Sequence, residues 1–380
     1  YMSYDTVPQK KHFLFEPMDW TDQPLISRRF IFNWHNFLSG CSSWNLEEWQ
    51  KWIVQSQKMG YNGIMVHAYG NNPMIGYEFK GTYRPVGYLA STKIGRDWAT
   101  NHVNDIQRMW GGQVFDTSVF GSEASVEGSS QQRTQSARKL MQQVFNFASQ
   151  RDMDVYFAID IDTESANPQD LITLLPESAR FEVERNWLAI PDTTEGYVCY
   201  KTQVEQLLRA YPDIDVLALW CRPGRRNGPW TRLTAERLPP QWQDEYRAEL
   251  KAHPHLAKHE WSPSMFGLRK VVQAYQRAVE EVGRGDVEIA FGTWLRRDVP
   301  PRRPGHCISL PLMDAFLPKN VPLVLLDWDV VRDDSFFEIL DRRSEFVDIK
   351  SSSGRPLWPV AWAHHDDGQY FGPPYKPFPD

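Results

Sequence analysis

The feature that most restricts how this chain can fold is a set of seven short apolar segments. Each of them except the last is followed by an amphipathic stretch of helical period. They are rich in Ile, Val, Leu, Phe and Trp, a composition typical of buried strands. Strands that alternate with helices form a parallel sheet, either as a closed β/α barrel or as an open doubly wound sheet. The segments cover 28–34, 61–70, 155–162, 214–222, 287–295, 321–331 and 357–367.

The stretch between the first two segments shows the helical pattern most clearly. Asn45 precedes a single face that carries Trp49, Ile53 and Ser56, and Gly60 follows the stretch. Asn is a favoured N-cap residue, and Gly is common just past the end of a helix. The pattern therefore predicts a complete β/α unit near the start of the chain.

Between the two parallel architectures, the sequence favours the barrel. No Gly-rich GxGxxG or GxxxxGK turn follows any strand, which removes the main support for a nucleotide-binding open sheet. We predict an α/β fold of the (β/α)8 TIM-barrel type, incomplete or irregular because one strand is missing or is supplied by another segment. A lead-in at 1–25 would precede a barrel domain at 26–380, with insertions at about 70–131 and 223–264, after the second and fourth strands.

Composition limits the partners. The 380 residues are 41% hydrophobic, enough for a large core, and the net charge of −6 comes from well-mixed acidic and basic residues. We expect neither a nucleic-acid surface nor a membrane span, since the chain has no basic patch and no long apolar run. Four scattered cysteines lack metal-ligand spacing and leave the compartment open, with a secreted or periplasmic location among the alternatives.

Aromatic residues are unusually frequent, with 16 Trp in the chain. A flat aromatic face can pack on the apolar face of a sugar ring, so this content favours a carbohydrate ligand. The alternative is that more than half of these side chains simply fill the core.

Polar and aromatic side chains gather where several different strands end. In a β/α barrel the carboxyl ends of the strands meet at one mouth, where catalytic and binding groups lie. The alternative for a lone histidine is a structural hydrogen bond within the core. The candidate substrate-binding residues are Trp34, His67, Asn71, Asn72, Asp160, Arg222, Trp294, Arg296, Trp328, His364 and His365.

Carboxylates at the same strand ends are the candidate catalytic groups. Asp327 and Asp329 end an otherwise apolar strand, and side chains two residues apart on a strand share a face. Glycoside cleavage needs two carboxyl groups, one as acid and one as nucleophile or base. Asp162 and Asp366 are the next candidates, and Glu123 could reach over the mouth from the long insertion after the second strand. The alternative is that these carboxylates cap helices or pair with arginines.

A family resemblance appears in "RRFIFNWHNF", "LEEWQKWIVQSQKMGYNGIMVHAYGNN" and "YPDIDVLALW". These stretches resemble the catalytic barrel of glycoside hydrolases of the α-glucuronidase and α-N-acetylglucosaminidase type. The resemblance implies exo-acting hydrolysis of a glycan. The chain departs from related barrels after the fourth strand, where "WCRPGRRNGPW" contains no carboxylate. Either the acid and base lie on other strands, or the protein binds glycan without cleaving it.

Two rival functions remain open on the sequence. The run His364, His365, Asp366 and Asp367 suits a divalent metal, as in a metal-dependent barrel hydrolase or isomerase. Adjacent residues on an extended segment point apart, so these four cannot all reach one ion, and we expect neither a metal nor another cofactor. The second rival is a non-catalytic carbohydrate-binding protein built on a decayed barrel.

Arginines predict the charge of the substrate. Arg222, Arg225 and Arg226 follow the fourth strand, and Arg296 and Arg297 follow the fifth. Guanidinium groups bind planar and polyvalent oxyanions in a bidentate manner, which favours a uronic acid or a sulfated sugar. The alternative is that several of these arginines pair with the surplus acidic residues. The sequence thus predicts a glycoside hydrolase that acts on acidic polysaccharide or oligosaccharide chains.

Overall fold

A computed structural model provides the structure of the chain. Asn33, Leu295, Asp327 and Ala361 are described by their backbone only. The structure describes residues 24, 26–33, 44–87, 129–221, 228–295, 310–327 and 353–361.

Seven parallel strands form one sheet in which the spatial order follows the chain order without reversal. A doubly wound sheet reverses its strand order at a switch point, so the uniform order is that of a β/α barrel. The predicted α/β fold with an incomplete barrel is confirmed. The strands are β1 (Phe30–Asn33), β2 (Gly63–Ala68), β5 (Asp154–Asp160), β8 (Val216–Cys221), β9 (Glu288–Leu295), β10 (Leu323–Asp327) and β11 (Leu357–Ala361).

Helices connect these strands on the outside of the sheet. The amphipathic stretch that follows the sixth apolar segment, at 333–346, lies outside the described residues. None of the helices in the described ranges is long and apolar enough to cross a membrane. The helices are α1 (Leu46–Lys58), α2 (Ser130–Ser149), α3 (Gln169–Ile172), α4 (Thr194–Ala210), α5 (Pro240–Ala252), α6 (Ser262–Glu281) and α7 (Leu310–Phe316).

The first helix forms as its sequence predicts. The Asn45 side chain accepts a hydrogen bond from the Glu48 amide, and the Glu48 carboxylate accepts one from the Asn45 amide, which completes a capping box. Trp49, Ile53 and Ser56 are buried against the sheet. Gly60 has φ +86°, the left-handed conformation that ends many helices.

Alternation along the strands creates two separate cores. One side of each strand packs on the helices, whereas the other side faces the barrel interior. Tyr156 of β5 and Trp358 of β11 lie in the interior, and their ring centroids are 6.0 Å apart. Strands that are four positions apart in a flat sheet would be roughly 19 Å apart, so the sheet curls into a nearly closed barrel.

Side chains connect the first and last strands of this barrel. Arg28 precedes β1, and its guanidinium lies 4.4 Å from the ring centroid of Trp358 in β11. The same guanidinium forms an ion pair of 2.8 Å with Glu288 of β9. Within the described residues, β1 pairs only with β2, and β11 pairs only with β10. The seam is therefore closed by side-chain contacts.

The connections after the strands carry more regular structure than the sequence indicated. The first part of the 70–131 insertion folds as a 3₁₀ turn (Pro73–Ile75) and a small hairpin, and 88–128 lies outside the described residues. The 223–264 insertion contains α5, and the connection after β5 contains a second hairpin. The hairpin strands are β3 (Glu78–Phe79), β4 (Thr82–Tyr83), β6 (Arg180–Val183) and β7 (Asn186–Ala189).

Candidate active site

A buried histidine–aspartate pair lies at the carboxyl ends of two adjacent strands. His67 is in β2 and Asp160 is the last residue of β5, each two residues beyond an inward-facing side chain, Met65 and Ala158. The His67 Nε2 and Asp160 Oδ1 atoms are 2.8 Å apart, and both side chains are 0% exposed. The strand phase therefore brings together two of the predicted site residues.

Aromatic rings surround the His67 imidazole. The centroid of the Tyr69 ring lies 4.9 Å away, that of Trp220 5.9 Å and that of Phe32 6.5 Å, all edge-on. Phe32 also stacks on Trp220 at 5.6 Å. These rings keep water from the His67–Asp160 pair, and low polarity strengthens the electrostatic interaction within it. Phe32 is the partly buried ring of this lining, and Trp294 packs against the same interior cluster.

Asp162 has different neighbours from Asp160, although the two are separated by only one residue. The strand ends at Asp160, so the alternation of faces does not extend to Asp162. The Cys221 thiol donates to Asp162 Oδ2 at 3.5 Å, and Cys221 belongs to the core between the strands and the helices. Burial, followed by the Asp162 charge, raises the pKa of Cys221 well above its usual range, so the thiol stays protonated.

The insertion after β8 covers Asp162 closely. A Cβ atom added at Gly228 would lie 1.8 Å from the Asp162 carbonyl oxygen, so only glycine fits there. Asp162 is itself 0% exposed. A buried carboxylate under a close-packed segment is costly unless neighbouring groups stabilise it, which makes Asp162 a strong candidate for a functional group.

The two asparagines after β2 differ in their roles. Asn72 is buried, and its Oδ1 accepts a hydrogen bond of 2.9 Å from the Met74 amide at the start of the 3₁₀ turn. The Asn71 carbonyl oxygen accepts the Gly87 amide at 2.7 Å, and its side chain is partly exposed. Asn72 thus has a structural role as a cap, and substrate binding by either asparagine stays a prediction.

A buried arginine belongs to this region but has no signal in the sequence. Arg84 is 1% exposed, and its Nη2 donates to the Ser165 carbonyl oxygen at 2.9 Å and to the Gly70 carbonyl oxygen. It thereby joins the connection after β2 to the connection after β5. Arginine is rarely buried, and no periodic pattern marks Arg84 in its loop, so sequence reasoning passed over it.

Position 327, the first choice for catalysis, has a described backbone only. It pairs in register with Leu295 and Ala361. In the same strand, Val324 and Leu326 face the interior, whereas Leu323 and Leu325 pack in the outer core. Position 327 is therefore in phase with the outer set, and Asp327 as a catalytic residue stays a prediction.

Most of the other predicted site residues lie outside the described ranges, and their roles stay predictions. Trp294 is described and packs at the edge of the interior cluster. The residues outside are Trp34, Glu123, Arg222, Arg296, Trp328, Asp329, His364, His365 and Asp366, together with Arg225, Arg226, Arg297 and Asp367.

The described charged groups near the mouth are largely paired. Arg232 and Arg237, in the connection after β8, both contact the Glu184 carboxylate, at 3.2 and 2.7 Å. The arginines predicted to bind substrate lie outside the described residues, so their role stays a prediction. Among the described residues, no three His, Cys, Asp or Glu side chains lie close enough to share a metal ion.

Comparison with known proteins gives distant structural neighbours. No family model matches the chain, and no curated protein resembles it in sequence. The GH20 catalytic modules of a pneumococcal exo-β-D-N-acetylglucosaminidase are similar with a TM-score of 0.39 and 9% identity, over 90% of this chain and 81% of that one. A Streptomyces plicatus β-hexosaminidase in complex with GlcNAc has a TM-score of 0.35 and 11% identity, over 88% of this chain. A Thermobaculum terrenum O-GlcNAc hydrolase has a TM-score of 0.35 and 10% identity, over 81% of this chain.

The chain spans less than half the length of the last two proteins, with 48% and 42% of those chains covered.

Proposed function

We propose that this protein is a glycoside hydrolase whose substrate binds at the carboxyl-end mouth of the barrel. The observation that carries the proposal is the buried His67–Asp160 pair beside aromatic rings at the carboxyl ends of two adjacent strands, with the buried Asp162 two residues further along the chain. Burying ionisable groups is costly, so their concentration at the functional end of a barrel favours a catalytic role. The neighbouring solved structures are glycosidases by name, but so distant a similarity transfers no activity.

In the proposed mechanism, two carboxyl groups act on opposite sides of the glycosidic bond. One protonates the leaving oxygen, and the other attacks the anomeric carbon or takes a proton from the attacking water. The pair would come from Asp162, Asp327, Asp329, Asp366 and Glu123. Asp160 and His67 are hydrogen-bonded to each other, so they would act by positioning and charge. Carboxyl groups about 5 Å apart would retain the anomeric configuration, and a separation of about 6.5–9.5 Å would invert it.

The proposed substrate is an acidic sugar chain cleaved from its end. Its support is the set of arginines after the fourth and fifth strands, which would bind a carboxylate or sulfate group. Binding of a uronate or sulfated oligosaccharide should be compared with binding of its neutral counterpart, before and after Arg222→Ala. Loss of one buried charge-assisted contact should cost about 2–5 kcal/mol for the charged ligand alone. Equal binding of both ligands would exclude the acidic substrate and leave the hydrolase proposal standing.

Substitution of the carboxylates tests catalysis. Asp162, Asp327, Asp329 and Asp366 are each changed to Asn, and Glu123 to Gln. The residues that act in the transition state should show kcat reduced by about 10²–10⁴-fold with an unchanged melting temperature. Asp154→Asn is the matched control because Asp154 begins β5 at the opposite end of the barrel. The proposal is wrong if every variant keeps the wild-type rate or loses activity only by unfolding.

Addition of a strong chelator distinguishes the proposed glycosidase from a metal-dependent hydrolase or isomerase. A glycosidase that uses two carboxyl groups should keep its rate in a strong chelator. Complete loss of activity that a divalent ion restores would support the metal-dependent hydrolase or isomerase instead.

A further inference from the structure

The Asn167 side chain holds the turn that carries Asp162. Its Nδ2 donates to the Ile161 carbonyl oxygen at 3.1 Å and to the Thr163 carbonyl oxygen at 2.8 Å. These two residues flank Asp162 in the chain. An asparagine amide has two N–H groups, and both bind the backbone immediately before and after the candidate carboxylate. Asn167 therefore fixes the path of the backbone at Asp162.

Trp230, in the connection after β8, holds Asn167 in turn. The indole Nε1 donates to Asn167 Oδ1 at 3.1 Å. One orientation of the amide satisfies all three contacts, because carbonyl oxygens face its nitrogen and an N–H group faces its oxygen. Trp230 is 1% exposed, its ring centroid lies 5.8 Å from that of Phe181, and a Cβ atom added at Gly267 would lie 3.0 Å from its Cζ3. The indole is therefore held between the hairpin strand β6 and helix α6.

Two other contacts connect β8 and its following connection directly to Asp162. Gly228 lies two residues before Trp230 and packs on the Asp162 carbonyl oxygen, which leaves no room for a Cβ atom. Cys221 ends β8, and its thiol donates to Asp162 Oδ2 at 3.5 Å. The backbone and the carboxylate of Asp162 are thus both in contact with elements that lie far from it in sequence.

We propose that Asn167 is a positioning residue for Asp162, and that Trp230 links it to the connection after β8. Misplacing a reacting group by about 1 Å can cost about 10²-fold in rate, so a side chain that fixes the backbone on both sides of a catalytic carboxylate affects the reaction without touching the substrate. The catalytic consequence rests on the proposed function, in which Asp162 is one of the candidate carboxylates. The placement of Asp162 by Asn167 does not.

The Cys221 thiol allows a test that needs no substrate. Donation to a carboxylate weakens an S–H bond, so the infrared S–H stretching band of Cys221 should lie below that of a free thiol. Cys221→Ala identifies this band among the four cysteines, and Asp162→Ala gives its position without the acceptor. Asn167→Asp keeps the shape of the side chain but turns a carboxylate toward two carbonyl oxygens. It should move the Cys221 band most of the way to its position in Asp162→Ala.

A second asparagine provides the matched control. Asn62 also bridges backbone groups, since it accepts from the Arg29 amide at 2.7 Å and donates to the Ser27 carbonyl oxygen at 2.8 Å. It precedes β2 at the amino end of the barrel, so Asn62→Asp should leave the Cys221 band in its wild-type position. Trp230→Phe keeps an aromatic ring and removes the N–H donor. It should move the band in the same direction as Asn167→Asp, by a smaller amount.

The outcomes separate this inference from the proposed function. An unchanged Cys221 band in folded Asn167→Asp overturns the inference, as does an equal shift in Asn62→Asp. If Asn167→Asp fails to fold, Trp230→Phe decides, because an unchanged band in that variant overturns the link. If the enzyme cleaves a glycoside, Asn167→Asp should lower kcat by about 10- to 100-fold with a smaller change in KM, and an unchanged kcat would overturn the catalytic consequence. Absence of glycosidase activity removes the proposed function and leaves the infrared test intact.

Discussion

Trp220 fits in the barrel interior because residue 292 on the adjacent strand is a glycine. A Cβ atom added at Gly292 would lie 2.1 Å from a carbon of the Trp220 six-membered ring. Trp220 is 0% exposed and stacks on Phe32 at 5.6 Å, so it has little freedom to move away. The same indole forms one wall around His67, which links the packing of one glycine to the geometry of the candidate site.

Gly292→Ala should therefore destabilise the protein by about 1–3 kcal/mol, since overpacking a dense interior forces side chains out of their preferred rotamers. Trp220→Phe trims the ring that the new methyl group would strike, so the penalty of Gly292→Ala should be smaller in that background. Denaturant unfolding of the two single variants and the double variant measures this coupling. An equal penalty in both backgrounds would contradict the proposed steric contact.

At the scale of elements, the sequence predicts the strands and helices whose apolar residues recur with a regular period. It misses the elements whose formation depends on single contacts. The seven strands and the capped helix α1 were recognised from alternation, apolar periodicity and Asn45. The hairpin β6–β7 was missed because its turn residues Glu184 and Arg185 adopt positive φ, +48° and +73°, without the usual Gly or Asn. Helix α5 was missed because it begins at Pro240 within a polar, proline-bearing stretch.

The candidate site was predicted in the same partial way. Strand phase predicts that His67 and Asp160 face the interior, which is where they meet. Asp162 lies beyond the end of β5, so strand alternation does not determine the direction of its side chain. Arg84 lies in a connection without periodicity, and its burial depends on contacts with segments distant in sequence, which no local pattern encodes.

The pairing of α4 with α6 provides a pH-dependent prediction. Glu281 accepts hydrogen bonds from Lys201 of α4 at 2.8 Å and from Arg277 at 2.7 Å. Lys201 first, and then Arg277, lower the pKa of Glu281 to about 2. A lowered pKa in the folded state stabilises the protein above the ordinary glutamate value of about 4.3, and this contribution is lost as the pH falls through about 2.

Glu281→Gln should therefore lower the urea midpoint at pH 6, and the difference from wild type should shrink steadily between pH 4 and pH 2. The effect should be small and should decrease with added salt, because Glu281 lies at the surface. Glu280→Gln is the control, since among the described residues Lys201 and Arg277 form their ion pairs with Glu281 and not with the adjacent Glu280. A difference that stays constant from pH 6 to pH 2 would show that the ion pairs do not produce it.

At the scale of the whole molecule, side chains hold the first and last strands of the barrel together within the part of the chain that the structure describes. A complete β/α barrel joins these strands by backbone hydrogen bonds. Here Arg28 contacts the Trp358 ring, the Glu288 carboxylate and, at 3.4 Å, the Tyr156 hydroxyl, which belong to three different strands. These contacts lie at the amino ends of the strands, opposite the candidate site. Stability and function are therefore expected to separate between the two ends of the barrel.

A double-mutant cycle between Arg28→Met and Trp358→Leu tests this closure. Cation–π contacts contribute about 0.5–2 kcal/mol, with the larger values where the pair is shielded from water, and the cycle isolates that term from the lost Glu288 ion pair. The control is the cycle between Arg151→Met and Phe147→Leu, a contact of 3.4 Å at the end of one helix that joins no distant strands. Because Arg28 joins the two edges of the sheet, its variants should also increase amide hydrogen exchange in β1 and β11 together, whereas the control variants should affect only the end of α2. A coupling energy near zero, or faster exchange in only one of the two strands, would mean that the seam is held by other contacts.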